Sequence, residues 1–230
     1  TIDGGRRCSA SYAYLHPASK RSNLTVKTKA FATKVLMQNK RAIGVKYQQN
    51  GQSLEVRANR EVILSGGVFN SPHLLMLSGI GPGDHLREVG IDPIIDSSGV
   101  GKNLQDHLAV LVHYARTTGS PFQKLMRFDR IVLAMARAFI FNNGPATVLP
   151  SGLHGYVKTI PELAVPDIQF LFRGTSPKAG MWFPGISKKY EEGFGMRPVL
   201  LHPESTGQVL LRSKDPKDKP RIVQNFLDSP

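Results

Sequence analysis

Arg60 to Gly81 reads R-E-V-I-L-S-G-G-V-F-N-S-P-H-L-L-M-L-S-G-I-G. Val62, Ile63 and Leu64 form a short apolar run with two β-branched residues, which predicts a buried strand. Ser65-Gly66-Gly67 ends that strand, because adjacent glycines permit positive φ and close backbone approach. Ser71 is placed to cap a helix, with Pro72 at the first helical position, where a missing N–H costs nothing. Leu74, Leu75, Leu77 and Ser78 carry the helix to a stop at Gly79. A strand, a glycine turn and a helix start together present backbone N–H groups to an anion. The same order also serves in a plain β–turn–α unit, and spacing leaves both readings open.

Upstream, Ser9 to Leu15 reads as a short helical piece ending near Pro17. Strands are predicted over 23–29, 32–37, 42–47 and 54–58. Asn39-Lys40-Arg41 and the hairpin signal Asn50-Gly51 supply turns. This block reads as an antiparallel meander leading to Val62–Leu64. Downstream, residues 82–90 form a helix closed by Gly90, 92–96 are extended, 98–107 form a glycine-rich loop, and 108–114 alternate as a strand. The character of the chain changes at Thr117-Thr118-Gly119-Ser120-Pro121, where a domain boundary is placed. A helix follows with an apolar stripe of Leu125, Phe128, Val132, Met135 and Phe139, ending at Asn142-Asn143-Gly144. Residues 155–157, 167–172, 198–201 and 208–212 are strands of a second sheet. The chain has no internal repeat and no low-complexity tract.

Bulk properties narrow the function classes. The chain has 230 residues, 40% of them hydrophobic, and a net charge of +13. That size fits one large domain or two small ones, and no run is apolar enough to span a membrane. The single cysteine, Cys8, excludes an intramolecular disulfide and a cysteine-based zinc site. It fits a reducing compartment. The positive charge admits nucleic acid or an anionic ligand as partner. The basic residues are scattered, however. Lys27, Lys29, Lys34, Lys40 and Arg41 alternate with apolar positions, and Lys214, Lys217 and Lys219 share a loop with Asp215 and Asp218. No arginine-rich arm or zinc finger accompanies them, which argues against nucleic acid. The first residues carry no initiator Met and no leader, so an internal piece of a longer protein is expected.

Three motif readings fail on spacing. Gly79-x-Gly81-x-Gly83 follows a helix rather than a strand and lacks the dinucleotide spacing. Gly99-Val100-Gly101-Lys102-Asn103 has Asn103 where a phosphate loop needs Ser or Thr for Mg²⁺. Asp106, His107 and His113 lack the i, i+4 helical pair of a metal site.

The remaining pattern joins Ser65-Gly66-Gly67, Ser71-Pro72 and Leu77-Ser78-Gly79-Ile80-Gly81 to Val100-Gly101-Lys102-Asn103-Leu104-Gln105-Asp106-His107. It resembles the glucose–methanol–choline (GMC) family of flavin-dependent oxidoreductases, in its choline-dehydrogenase-like branch. Residues 67–81 match that family's second signature, with Val68 departing from the smaller residue usual there. Residues 7–15, 23–26, 40–45, 60–65, 209–216 and 220–222 extend the likeness, and 120–200 matches weakly.

The resemblance implies an α+β fold: an incomplete α/β, Rossmann-like FAD-binding part over 1–117, then an antiparallel-sheet substrate domain over 118–230. It implies FAD as cofactor and oxidation of an alcohol CH–OH by hydride transfer to flavin N5. The pyrophosphate fingerprint is expected ahead of Thr1, and the catalytic His beyond Pro230, so none of the seven histidines is assigned the base's role. The expected cofactor contacts are Ala32, whose backbone reads the adenine, Ser65, Gly66 and Gly67 beside the adenosine half, and Asn103 toward the flavin end. Asp106 and His107 lie in the same loop, as cofactor contacts or as loop staples. Phe172, Trp182 and Phe183 are candidates for the substrate roof or for core. The partners implied are a small-molecule alcohol and a quinone or oxygen as electron acceptor, with no metal and no nucleic acid, in the cytoplasm or at the membrane periphery. Two other readings are kept, an inactive truncated product and a basic binding module.

Overall fold

The computed structural model describes residues 2–3, 6–147 and 151–228. In chain order the elements are β1 (Ile2–Asp3), β2 (Arg6–Arg7), a π-helical turn (Ser11–Leu15) running into α1 (His16–Ala18), β3 (Phe31–Gln38), β4 (Arg41–Gln49) and β5 (Gln52–Arg57). Next come α2 (Gly67–Leu77), β6 (Ile80–Gly81), α3 (Gly83–Glu88), β7 (Ile95–Asp96), β8 (Leu108–Ala109), β9 (Val112–Ala115), α4 (Pro121–Leu125) and α5 (Phe128–Phe141). The 3-10 turn Pro145–Thr147, β10 (Ser151–Val157), β11 (Ile168–Arg173), β12 (Gly193–Leu200), β13 (Gln208–Leu210) and β14 (Arg221–Val223) complete the α+β set. Two compact units result: Val26–Asp106 with Pro203–Pro230, and Thr1–Thr25 with His107–His202. These units do not follow a cut at 117/118, because β8 and β9 pair with β12 and β13 returns to the first unit.

In the first unit, β3, β4 and β5 form the expected meander, with β4 central. Asn39 and Lys40 (φ +48° and +61°), and Asn50 and Gly51 (φ +51° and +78°), make its two turns. Positive φ at both central residues matches the twist of the flanking strands. The predicted strand over 23–29 is not formed. Lys29 turns left-handed at φ +54°, and residues 21–29 are exposed with no ladder to join. The predicted strand at Val62–Leu64 is also unpaired: the segment is non-helical but joins no sheet, and Ile63 is 77% exposed. A buried parallel strand needs neighbours on both sides, and none flanks it among the described residues.

The helix after it starts earlier than predicted, at Gly67 rather than beyond Ser71. Ser71 still serves the helix start, because its hydroxyl accepts the N–H of Gly66 (3.0 Å), one of the donors a first turn leaves unpaired. Pro72 therefore lies inside the helix. The predicted end holds: Ser78 is the C-cap and Gly79 turns left-handed at φ +82°, as a glycine C′ does. Met76 and Leu77 pack with Leu86 and Leu211 as the core, flanked by Val89, Ile91 and Val100. β6 and β7 pair in parallel, Ile80 with Ile95.

The second unit is an antiparallel sheet in the order β10-β11-β12-β8, with β9 also on β12. The strand predicted over 108–114 splits at Val110 and Leu111, and Pro198 explains the break. Its carbonyl accepts the Val110 N–H (3.2 Å), so its donorless nitrogen faces the same side and the ladder cannot continue there. Ser120 caps α4 through the Gln123 N–H (3.0 Å), with Pro121 at the first position. The apolar stripe predicted for α5 does not face a core. Ala134 is the buried residue of this helix, and Phe128, Val132, Met135 and Phe139 are all more than 45% exposed. The hydrophobic period is present, but the stripe stays largely exposed, with the Phe128 ring edge-on to Phe183 at its start. Trp182 is core, buried with its indole N–H on the Gln123 carbonyl (2.8 Å).

Candidate functional site

All five residues expected to touch a cofactor, Ala32, Ser65, Gly66, Gly67 and Asn103, fall in the first unit. No side-chain hydrogen bond joins one of them to another among the described residues.

Ala32 lies on β3, the outer strand of its sheet, opposite Tyr47. The direction of its backbone groups follows from β4. Ile43 accepts the Ala58 N–H (2.9 Å) through its carbonyl, and the β4–β5 register runs without a shift from Gly44 to Gln49, so the odd residues from Ile43 to Gln49 turn their N–H and C=O toward β5. Tyr47 is one of these, so Ala32 and Tyr47 form a non-hydrogen-bonded pair. The N–H and C=O of Ala32 therefore point to the open edge. Val35, opposite Val45, repeats the pattern, and its outward N–H donates to the Ser78 hydroxyl (2.8 Å). An exposed edge whose donor and acceptor have no partner among the described residues fits the edge of a planar heterocycle such as adenine.

Ser65, Gly66 and Gly67 are exposed and lead into the N-terminus of α2. Gly67 adopts φ +81°, and a Cβ there would meet nothing within 4 Å. Glycine is thus required by conformation rather than by crowding, and the space beside the turn is open to a ligand.

Asn103 also adopts a left-handed conformation, φ +56°, which asparagine tolerates. Its loop is held in place from far along the chain. Leu104 and Gly207 exchange backbone bonds (3.0 and 2.7 Å), and the Val209 N–H donates to the Gly101 carbonyl (2.7 Å). Lys102 Nζ donates to Gln208 Oε1 (2.8 Å) and Gln105 Nε2 to the Pro203 carbonyl (3.0 Å). Gly101 is left-handed at φ +79°, and a Cβ there would lie 2.2 Å from the Val209 carbonyl oxygen. Asp106 and His107 each have interaction partners.

Two residues that sequence reasoning did not assign hold this frame. Ser78 is fully buried. Its hydroxyl donates to the Leu74 carbonyl (2.6 Å) while accepting from Val35, so one side chain ties the end of α2 to the edge of β3. His85 Nε2 accepts the Leu211 N–H (3.0 Å), which fixes α3 to the chain after β13 and requires the proton on Nδ1. His73 in α2 is held below the ordinary histidine value by burial. In the second unit, Tyr190 is pushed up to about 12 by burial and then by the Glu192 charge. Among the described residues, no group of three or more His, Cys, Asp or Glu is placed to hold a metal. The arrangement offers backbone donors and acceptors on exposed edges.

Residues 2–109 match the family model described as GMC oxidoreductase. The oxygen-dependent choline dehydrogenase of Staphylococcus aureus (strain JH9) is 37% identical over 228 residues, 99% of this chain and 39% of that protein. A formate oxidase of Aspergillus oryzae RIB40, solved to follow the effect of a mutation on FAD modification, superposes with a TM-score of 0.84 at 27% identity. That match covers 99% of this chain and 44% of the other. Pyridoxine 4-oxidase from Mesorbium loti shares the fold, with a TM-score of 0.77 at 24% identity over 99% of this chain and 40% of its own. The chain thus spans about two fifths of the length of the curated relatives it matches.

Proposed function

Because this chain belongs to the GMC oxidoreductase family, we propose that it forms one wall of the FAD site, and part of the substrate site, of an enzyme that oxidises an alcohol CH–OH group. FAD, when bound, supplies the acceptor for the hydride. The chain's own residues bind and orient. The outward N–H and C=O of Ala32 read the adenine edge. Ser65, Gly66 and Gly67 bring the start of α2 against the adenosine half, where the open space beside Gly67 admits it. Asn103, held by the backbone exchanges of its loop with 207–209, is set toward the flavin end. The base that takes the alcohol proton is assigned to no histidine of this chain. The antiparallel sheet of β8–β12 forms part of the substrate domain.

One observation carries this reading: the free backbone edge at Ala32 lies in the same unit as an open glycine turn at the start of an eleven-residue helix. The likeness to choline dehydrogenase makes choline, or an alcohol like it, the first substrate to try. A quinone or oxygen serves as acceptor, and the site of action is the cytoplasm or the membrane periphery. No helix among the described residues is long and apolar enough to cross a membrane. The test is to purify the full polypeptide encoded at this locus and add alcohols anaerobically. Bleaching of flavin absorbance by choline or another alcohol supports the proposal. A colourless protein that takes up no FAD refutes it.

A further inference from the structure

The unit that carries β3 also holds a cavity of about 590 Å³, a size typical of small-molecule sites. Three lysines line it from separate segments: Lys34 on β3, Lys46 on β4 and Lys214 beyond β13. Asp92 is the one carboxylate in the lining, which leaves 3 − 1 = +2. Lys34 and Lys46 are direct cross-strand partners, and like charges in opposite positions destabilise a sheet. No ion pair offsets them among the described residues. Glu55, the neighbour of Lys46 on β5, forms none with it. The register of β3 shifts at Thr33, between Ala32 and Lys34, and such a bulge re-aims the side chain that follows. Ser53 and Gln48 add a hydroxyl and an amide to the lining. None of the five expected flavin contacts borders this cavity.

We propose that the cavity binds a phosphate-bearing small molecule at a site separate from that of the flavin. Two lysines at directly opposed strand positions, both lining the cavity, match a dianion, and a lysine ammonium acts on phosphate as a point charge. The anion offsets the Lys34–Lys46 repulsion, Lys214 approaches from its loop, and Gln48 and Ser53 donate to the remaining oxygens.

The test is calorimetric titration of the full chain with two probes, inorganic pyrophosphate and adenosine 5′-monophosphate. Saturable binding is expected, weakened at least tenfold in the double variant Lys34→Ala/Lys46→Ala and, independently, in the loop variant Lys214→Ala. The control Lys20→Ala, outside the cavity, retains wild-type affinity. Binding of both probes assigns an organic phosphate as the ligand, and binding of pyrophosphate alone assigns an inorganic one. Each outcome supports the phosphate site. Unchanged affinity in both cavity variants overturns the proposal, as does equal loss in Lys20→Ala or the absence of saturable heat with either probe.

Discussion

The substitution Ala32→Pro separates backbone recognition from side-chain recognition. Proline removes one N–H and nothing else from the hydrogen-bonding inventory of the strand. On most strands that would break the ladder. Here the Ala32 N–H faces the open edge, since Ala32 pairs with Tyr47 in the non-hydrogen-bonded position, so the β3–β4 ladder keeps every bond. If that N–H reads the adenine, its loss leaves a ligand acceptor unpaired. Such a loss costs about 1–3 kcal/mol, or roughly 5- to 150-fold in Kd. The assay is FAD affinity of the full polypeptide, followed by flavin fluorescence, with the unfolding midpoint measured in parallel. Ala32→Val keeps the N–H and is expected to bind FAD as the native chain does. Wild-type affinity in a folded Ala32→Pro variant would refute the backbone reading. Equal weakening by Ala32→Val would move recognition to the side chain.

Other substitutions probe the frame around the site. Gly101→Ala places a methyl 2.2 Å from the Val209 carbonyl oxygen at φ +79°. It is expected to cost about 3 kcal/mol or more in urea unfolding. Gly67→Ala, with open space at a similar φ, costs only about 1–2 kcal/mol. Ser78→Ala leaves the buried Val35 N–H without its acceptor, an expected loss of about 1–3 kcal/mol, measurable in the same unfolding curves. Burial lowers His73 below 6.5 in the folded chain. Its contribution is therefore present above pH 6.5 and is lost as pH falls through the lowered folded value. A His73→Gln variant should show a shallower loss of stability below pH 6.5, read from midpoints at stepped pH.

Much of the fold was legible because its signals are local. Asn39-Lys40 and Asn50-Gly51 carry the conformations of their turns, so the meander could be drawn from sequence. Gly79 and Gly90 stop their helices with left-handed backbones for the same reason. The start of α2 was harder. Ser71-Pro72 has the chemistry of a helix start, but Gly67 supplies the turn five positions before Pro72, and Ser71 reaches back to Gly66. The illegible features join distant residues. Gly101 requires glycine because Val209 is packed on it, and Ser78 and His85 matter through Val35 and Leu211. No local pattern encodes those pairings. Val62–Leu64 and the stripe on α5 mislead in another way. Both carry the hydrophobic pattern of a buried element, but pattern specifies a face without specifying what covers it. Ala32 was picked out by resemblance, and the alternation of β4 supplied the physical reason that its backbone is free.

The central claim is that Ala32, Ser65–Gly67 and Asn103 form one wall of an FAD site. Amide hydrogen exchange of the full polypeptide, with and without FAD, tests it at those residues. Slowed exchange on FAD addition at Ala32, at Gly66 and Gly67, and at Asn103 is the predicted result. FAD binding that leaves all of these amides unchanged while protecting others would contradict the account.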